Sequence, residues 1–296
     1  MNVRFGYGSP SELRAAADVV RLAEQADRDG LDVFSISDHP YLADHLDAYA
    51  IIGYVLGRTE QISGLANVSN LPLRPAPMLA RTASSLAALS GNRLVLGAGA
   101  GGLPDRIAAM GGPRRSPAEA VEAFEESMVL LRALTSPGPP VTSTGTHYPV
   151  SRLAPVPAGT PPIWTGSVGP KSLAATGRQA DGWIPGHAAD WLSEAYRKSR
   201  PIIDEAAIAV GRKPADIATV YNFPGVITAR PLGRVRDDDG RWIGGSPEQW
   251  IEELTGAVLD YGASGFILFP QGDESFEVVL KRWSQEVVPA IRTAIS

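Results

Sequence analysis

The chain has 296 residues, 27 Lys and Arg against 32 Asp and Glu, a net charge of -5 and no cysteine. Disulfide-stapled modules, Cys-ligated metal centres and cysteine-nucleophile enzymes are thereby excluded. The densest basic patches, Arg114-Arg115 and Arg197-Lys198, are too short to make a stripe for a phosphate backbone, so nucleic acid is not an expected partner.

The start, MNVRFGYGSPSELR, lacks the basic and apolar regions of a signal peptide, and no segment reaches about 18 unbroken apolar residues. The expectation is a cytoplasmic protein that does not span or bind a membrane.

Short apolar runs alternate with longer helical-period segments along the chain. Strands are expected at 3–7, 33–37, 62–68, 93–96, 163–166, 182–184, 217–228 and 265–269. Helices follow, starting near Pro10, Leu46, Pro75, Pro117, Pro170, Ala188, Pro247 and Ser275. Three starts carry one chemistry: Ser9-Pro10-Ser11-Glu12, Ser116-Pro117-Ala118-Glu119 and Ser246-Pro247-Glu248-Gln249 each offer a Ser cap, Pro at the first helical position and Glu or Gln at the third. The stretches 101–116, 135–162 and 230–245 are rich in Gly, Pro or charge and are expected as loops.

The strands LVLG at 94–97 and FILF at 266–269 are apolar on both faces, which is the pattern of a parallel sheet wrapped by helices. Eight units of about 37 residues, with no linker between them, favour a closed α/β (β/α)8 TIM barrel over an open doubly wound sheet. One barrel domain over 1–296, with loop insertions, is the expected architecture.

In such a barrel the reactive residues stand at the C-terminal strand ends. Asp38-His39 places a carboxylate beside an imidazole, the side chain best suited to proton transfer near neutral pH; the alternative is an Asp capping the next turn. His39, Asp44 and His45 match no recognised metal-ligand spacing, and no metal is expected. Residues 97–102, Gly-Ala-Gly-Ala-Gly-Gly, satisfy G-x-G-x-x-G. Pro104 and a long loop intervene before the next helix, however, so close approach of backbone to a flat ring is favoured over a dinucleotide site, with a purely structural glycine-rich loop as the alternative. The turn 165–172, TGSVGPKS, suits an anion: Ser167, Lys171 and the free amides of a helix beginning at Pro170 converge there. An ordinary tight turn is the alternative.

DVFSISDHP at 32–40, NLPLRPAPMLARTASSLAALSGNRLVLGAGAG at 70–101 and IWTGSVGPKSLAATGRQADGWIP at 163–185 resemble, in order, the luciferase-like monooxygenase superfamily. The resemblance implies a barrel that binds FMN or the deazaflavin coenzyme F420 at its strand ends, as a homodimer. Asp38-His39 is similar to the Asp-His pair of the F420-dependent members, where many flavin-dependent members have Glu-His. By that resemblance Asp38 faces the deazaflavin and His39 is the proton donor or base. Asn67-Val68 matches the position of a non-prolyl cis peptide behind the ring. Asn70, Ala100 and Gly101 lie against the coenzyme, and Gly166, Ser167 and Val168 hold its phosphate. Gly102 stands where the sugar-phosphate dehydrogenases of the superfamily carry a catalytic glutamate, which argues against glucose 6-phosphate oxidation. The expectation is hydride transfer between F420 and a small organic substrate. The alternatives are an FMN-dependent monooxygenase using reduced flavin and O2, and a non-catalytic flavin-binding barrel.

Overall fold

A computed structural model describes residues 3–157 and 159–296, leaving Met1, Asn2 and Ala158 outside the description. Eight parallel strands form the central sheet: β1 (Arg4–Gly8), β2 (Val33–Ile36), β3 (Ser63–Ala66), β4 (Leu94–Gly99), β5 (Ile163–Thr165), β6 (Gly182–Trp183), β7 (Ala218–Ile227) and β8 (Gly265–Pro270). Each pairs with the next, and β8 pairs back onto β1 with Arg4 opposite Gly265 and Tyr7 opposite Leu268. The sheet is therefore a closed eightfold barrel.

Helices α1 (Ala16–Arg28), α2 (Ala48–Arg58), α3 (Ala76–Ser90), α4 (Pro117–Thr135), α5 (Pro170–Gln179), α6 (Glu194–Ala209), α7 (Pro247–Tyr261) and α8 (Phe276–Arg282) follow the strands in turn. Strand alternation sorts the core into two layers. Phe5, Tyr7, Phe34 and Phe266 point outward into the helices. Val33, Leu65, Val95, Trp164, Ile184, Val220 and Ile267 point inward and fill the barrel.

One glycine is dictated by this closure. A Cβ at Gly97 on β4 would stand 1.9 Å from the Ala66 carbonyl oxygen, a backbone atom held in the neighbouring strand. Gly97→Ala is expected to lower stability by about 3 kcal/mol in denaturant titrations. Gly57→Ala, inside α2 where a Cβ meets nothing within 4 Å, should instead gain up to about 1 kcal/mol.

Two of the three expected caps form. The Ser116 amide donates to Glu119 Oε2 (2.8 Å) and the Glu119 amide to Ser116 Oγ (3.3 Å). The Ser246 amide donates to Gln249 Oε1 (3.0 Å). The cap at Ser9 does not form, because residues 11–13 are committed to residues 44–46: Leu46 N donates to Ser11 O, Leu13 N donates to Asp44 O, and Glu12 bridges His45. A short 3-10 turn, Leu13–Ala15, leads into α1 instead. The sixth helix begins at Glu194 rather than near Ala188, since Trp191 is spent in the core against Tyr221 and Phe223.

The expected loops also hold structure. Residues 101–116 contain a helix, Pro104–Ala109, and residues 135–162 contain an antiparallel hairpin, Val141–Ser143 with Val150–Leu153. Residues 230–245 are pinned by Arg236, which pairs with Asp190 at 2.7 Å and with Glu253 on α7. No helix of the described residues is long and apolar enough to cross a membrane.

Candidate active site

Two residues further along three inward-facing strand positions, the apolar barrel filling gives way to a polar layer. Val33, Leu65 and Val220 are followed at that spacing by Ser35, Asn67 and Asn222, on the same side by the period of a strand. Asn67 Nδ2 donates to Asn222 Oδ1 across the barrel at 2.8 Å and to Ser35 Oγ at 3.0 Å. The Asn67–Val68 peptide bond is cis, as the resemblance implies. The Val68 side chain lies between β4 and the end of β5: a Cβ at Gly99 would fall 2.6 Å from Val68 Cγ2, and one at Gly166 3.1 Å from it. Gly99 and Gly166 thus make room for Val68, and Gly97 for Ala66. Of the residues 97–102, it is Gly102 that faces open space, with nothing within 4 Å of a Cβ there.

Asp38 lies past the end of β2 and is 3% exposed. Arg74 grips it through Nε to Oδ2 (2.7 Å) and Nη2 to Oδ1 (2.8 Å), and the Asn70 amide donates to Oδ2 at 2.9 Å. Arg74 also bonds Asp47 (2.5 Å) at the N-cap of α2 and lies 4.9 Å over the Tyr49 ring, whose hydroxyl stands 2.8 Å from Ser69 Oγ. Burial works against the Arg74 charge, but these carboxylates hold the guanidinium protonated above its ordinary value. The family resemblance implies that Asp38 faces the coenzyme as a catalytic group. The structure engages both its oxygens, making it the anchor that fixes the Asn70 backbone. Arg74 is the residue sequence reasoning misses, and its signal was a single cation in the apolar run NLPLRPAPMLA.

His39, next to this anchor, is exposed at the mouth, and its Nδ1 stands 2.7 Å from the Tyr41 hydroxyl. Burial of the ring lowers its proton affinity below the usual imidazole value. Asp38 opposes that shift, while His45 and Arg106 add to it. His39 therefore holds a proton less readily than an ordinary imidazole.

Asn70 is 5% exposed, pairs in register with Gly99, and carries an amide oxygen with no hydrogen-bond partner among the described residues. A buried acceptor left unmade costs about 1–3 kcal/mol. Ala100 and Gly101 continue the half-buried rim beside it. At the far side of the mouth, Ser167 is buried, and its Oγ stands 3.0 Å from Thr176 Oγ1 within α5. That leaves an incoming anion the first-turn amides of α5, the exposed Lys171 and the backbone around Val168. Val168 is 57% exposed and touches the turn after β6, where a Cβ on Gly186 would lie 2.3 Å from Val168 Cγ1. A cavity of about 710 Å³ opens there, lined among others by Gly186, His187, Arg197 and Arg241.

The polar layer of Ser35, Asn67 and Asn222, the Asp38–Arg74 pair and His39 thus gather at the C-terminal end of a closed (β/α)8 barrel, the end at which such barrels carry their ligand sites. The chain belongs to the luciferase-like monooxygenase family, whose model matches residues 2–255. A Mycobacterium tuberculosis phthiodiolone/phenolphthiodiolone dimycocerosates ketoreductase is 35% identical over 123 residues, which are 40% of this chain and 30% of that protein. The match thus spans under a third of that relative. An F420-dependent secondary alcohol dehydrogenase in complex with an F420-acetone adduct superposes with a TM-score of 0.80 at 19% identity, covering 99% of this chain and 100% of that one. EDTA monooxygenase from Chelativorans sp. BNC1 superposes at 0.82 with 18% identity, covering 99% and 94%. At these identities the likeness shows the fold.

Proposed function

We propose that the protein is an F420-dependent oxidoreductase that interconverts a small organic carbonyl compound and its alcohol. The observation that carries this reading is the orphaned Asn70 amide oxygen beside the Asp38–Arg74 anchor, an acceptor suited to a ring N–H of a bound heterocycle. When bound, the deazaflavin supplies hydride chemistry, and the protein supplies position and proton handling. Asn70, Ala100 and Gly101 would flank the ring, with Asn67 and Val68 behind it. Gly166, Ser167 and Val168, through their backbone, would hold the phosphate with Lys171. The cavity lined by Gly186, His187, Arg197 and Arg241 would give room for substrate. His39 would exchange a proton with the substrate oxygen.

The Asp38-His39 pair supports F420 over FMN by its resemblance to the deazaflavin-dependent members. The ketoreductase and alcohol dehydrogenase names support the carbonyl–alcohol chemistry. Under anaerobic conditions, purified protein with reduced F420 and short ketones should oxidise the coenzyme stoichiometrically with alcohol formed. Turnover only with reduced FMN and oxygen would replace this reading with the flavin monooxygenase one, which the likeness to EDTA monooxygenase favours.

The working unit is proposed as a homodimer of single-barrel chains in the cytoplasm. Tyr54 on α2 and Met78 and Leu89 on α3, exposed by 58%, 62% and 85%, supply apolar surface for it. Sedimentation at the mass of one chain would dismiss the dimer.

A further inference from the structure

We infer that Tyr41 is a positioning residue for His39 and the donor that resupplies its ring with a proton. This rests on the carbonyl–alcohol reading above. His39 Nδ1 is 2.7 Å from the Tyr41 hydroxyl, the two rings are 5.5 Å apart, and Nε2 has no protein partner among the described residues. Tyr41 is itself braced by Arg106, whose guanidinium lies 5.9 Å from its ring, so the helix Pro104–Ala109 reaches His39 through this tyrosine.

The charged and titratable groups that face the pair are Asp38 beside it, His45 from the following turn and Arg106 from that helix. Burial, with Asp38 adding to it and Arg106 opposing, keeps Tyr41 a phenol. A neutral imidazole beside a phenol has one stable arrangement for donating at Nε2: the phenol O–H donates to Nδ1, and Nε2 carries the ring proton.

The proton inventory then closes. Were a bound deazaflavin to supply a hydride to a carbonyl carbon, the substrate oxygen would take the proton of His39 Nε2. Nδ1 takes the proton of Tyr41, and the phenolate so left is reprotonated from solvent. The imidazole ends in its other tautomer with no change of charge, and the starting tautomer returns when Nδ1 releases its proton to solvent through Tyr41 and Nε2 takes one up from solvent at the open mouth.

Nitrogen chemical shifts of the imidazole rings test this on coenzyme-free protein, and four histidines are few enough to assign. The wild-type His39 should show the Nε2–H tautomer. In Tyr41→Phe the tautomers should mix, the ring should take up its proton at higher pH because the donor that stabilised the neutral form is gone, and kcat should fall about tenfold or more with KM nearly unchanged. A tautomer and titration unaltered by Tyr41→Phe would overturn the inference. Because those two readings need no coenzyme, a failure of F420 turnover would strike the proposed function separately.

Discussion

Replacing Arg74 by methionine should lower stability by about 3 kcal/mol, the cost of leaving a buried carboxylate without its cation. The Asp38 side chain is 1% exposed and that of Arg74 19%, so solvent cannot reach in to replace the guanidinium. The loss should be partly reversible by a second change. Asp38→Asn combined with Arg74→Met removes the stranded charge, and denaturant titration should return more than half of the deficit, a coupling that independent sites would not show. The same single variant should weaken ligand binding, because the Asn70 amide that Asp38 holds at 2.9 Å would lose its fixed partner. If Arg74→Met were within about 0.5 kcal/mol of wild type, Asp38 would not depend on this ion pair.

His39→Gln should reduce kcat by about 10² to 10⁴ while leaving stability within about 0.5 kcal/mol, since the side chain is exposed and makes one hydrogen bond, to Tyr41. The wild-type rate should also carry the mark of this ring. Burial lowers the His39 affinity for protons, so the neutral form persists as pH falls past the ordinary imidazole value of about 6.5. The acid limb of the pH–rate profile for alcohol oxidation, the direction in which His39 accepts the proton, is therefore expected below that value, and should vanish in the glutamine variant. An acid limb kept unchanged by His39→Gln would assign the titration to another group.

The barrel was legible because its signals are local. Strands apolar on both faces and the Ser-Pro caps at Ser116 and Ser246 need no distant partner to be recognised. Where a distant partner decided the matter, the local signal failed: the Ser9 cap was overridden by pairing with residues 44–46, and the start of α6 by burial of Trp191. The candidate site divides in the same way. Asp38 and His39 are visible as a strand-end pair, and Ser167 as part of a turn. That Asp38 is clamped by Arg74, 36 residues away, and that Asn67 reaches Asn222, 155 residues away, are properties of the closed barrel. The meaning of the glycines changed for the same reason. Gly97 and Gly99 answer to Ala66 and Val68, neighbours that closure supplies, and Gly102 is the position left open.

Under the proposed function the barrel mouth would hold a deazaflavin, with the unpartnered Asn70 Oδ1 as an acceptor. Titrating coenzyme-free protein with F420 and, separately, with FMN, while following the fluorescence of each, tests it most directly. Saturable quenching of F420 is expected, weakening about fivefold to tenfold in Asn70→Ala as for one lost hydrogen bond, with FMN bound more weakly than F420 by the wild type. Tight binding of FMN with none of F420, or F420 binding indifferent to Asn70, would contradict it.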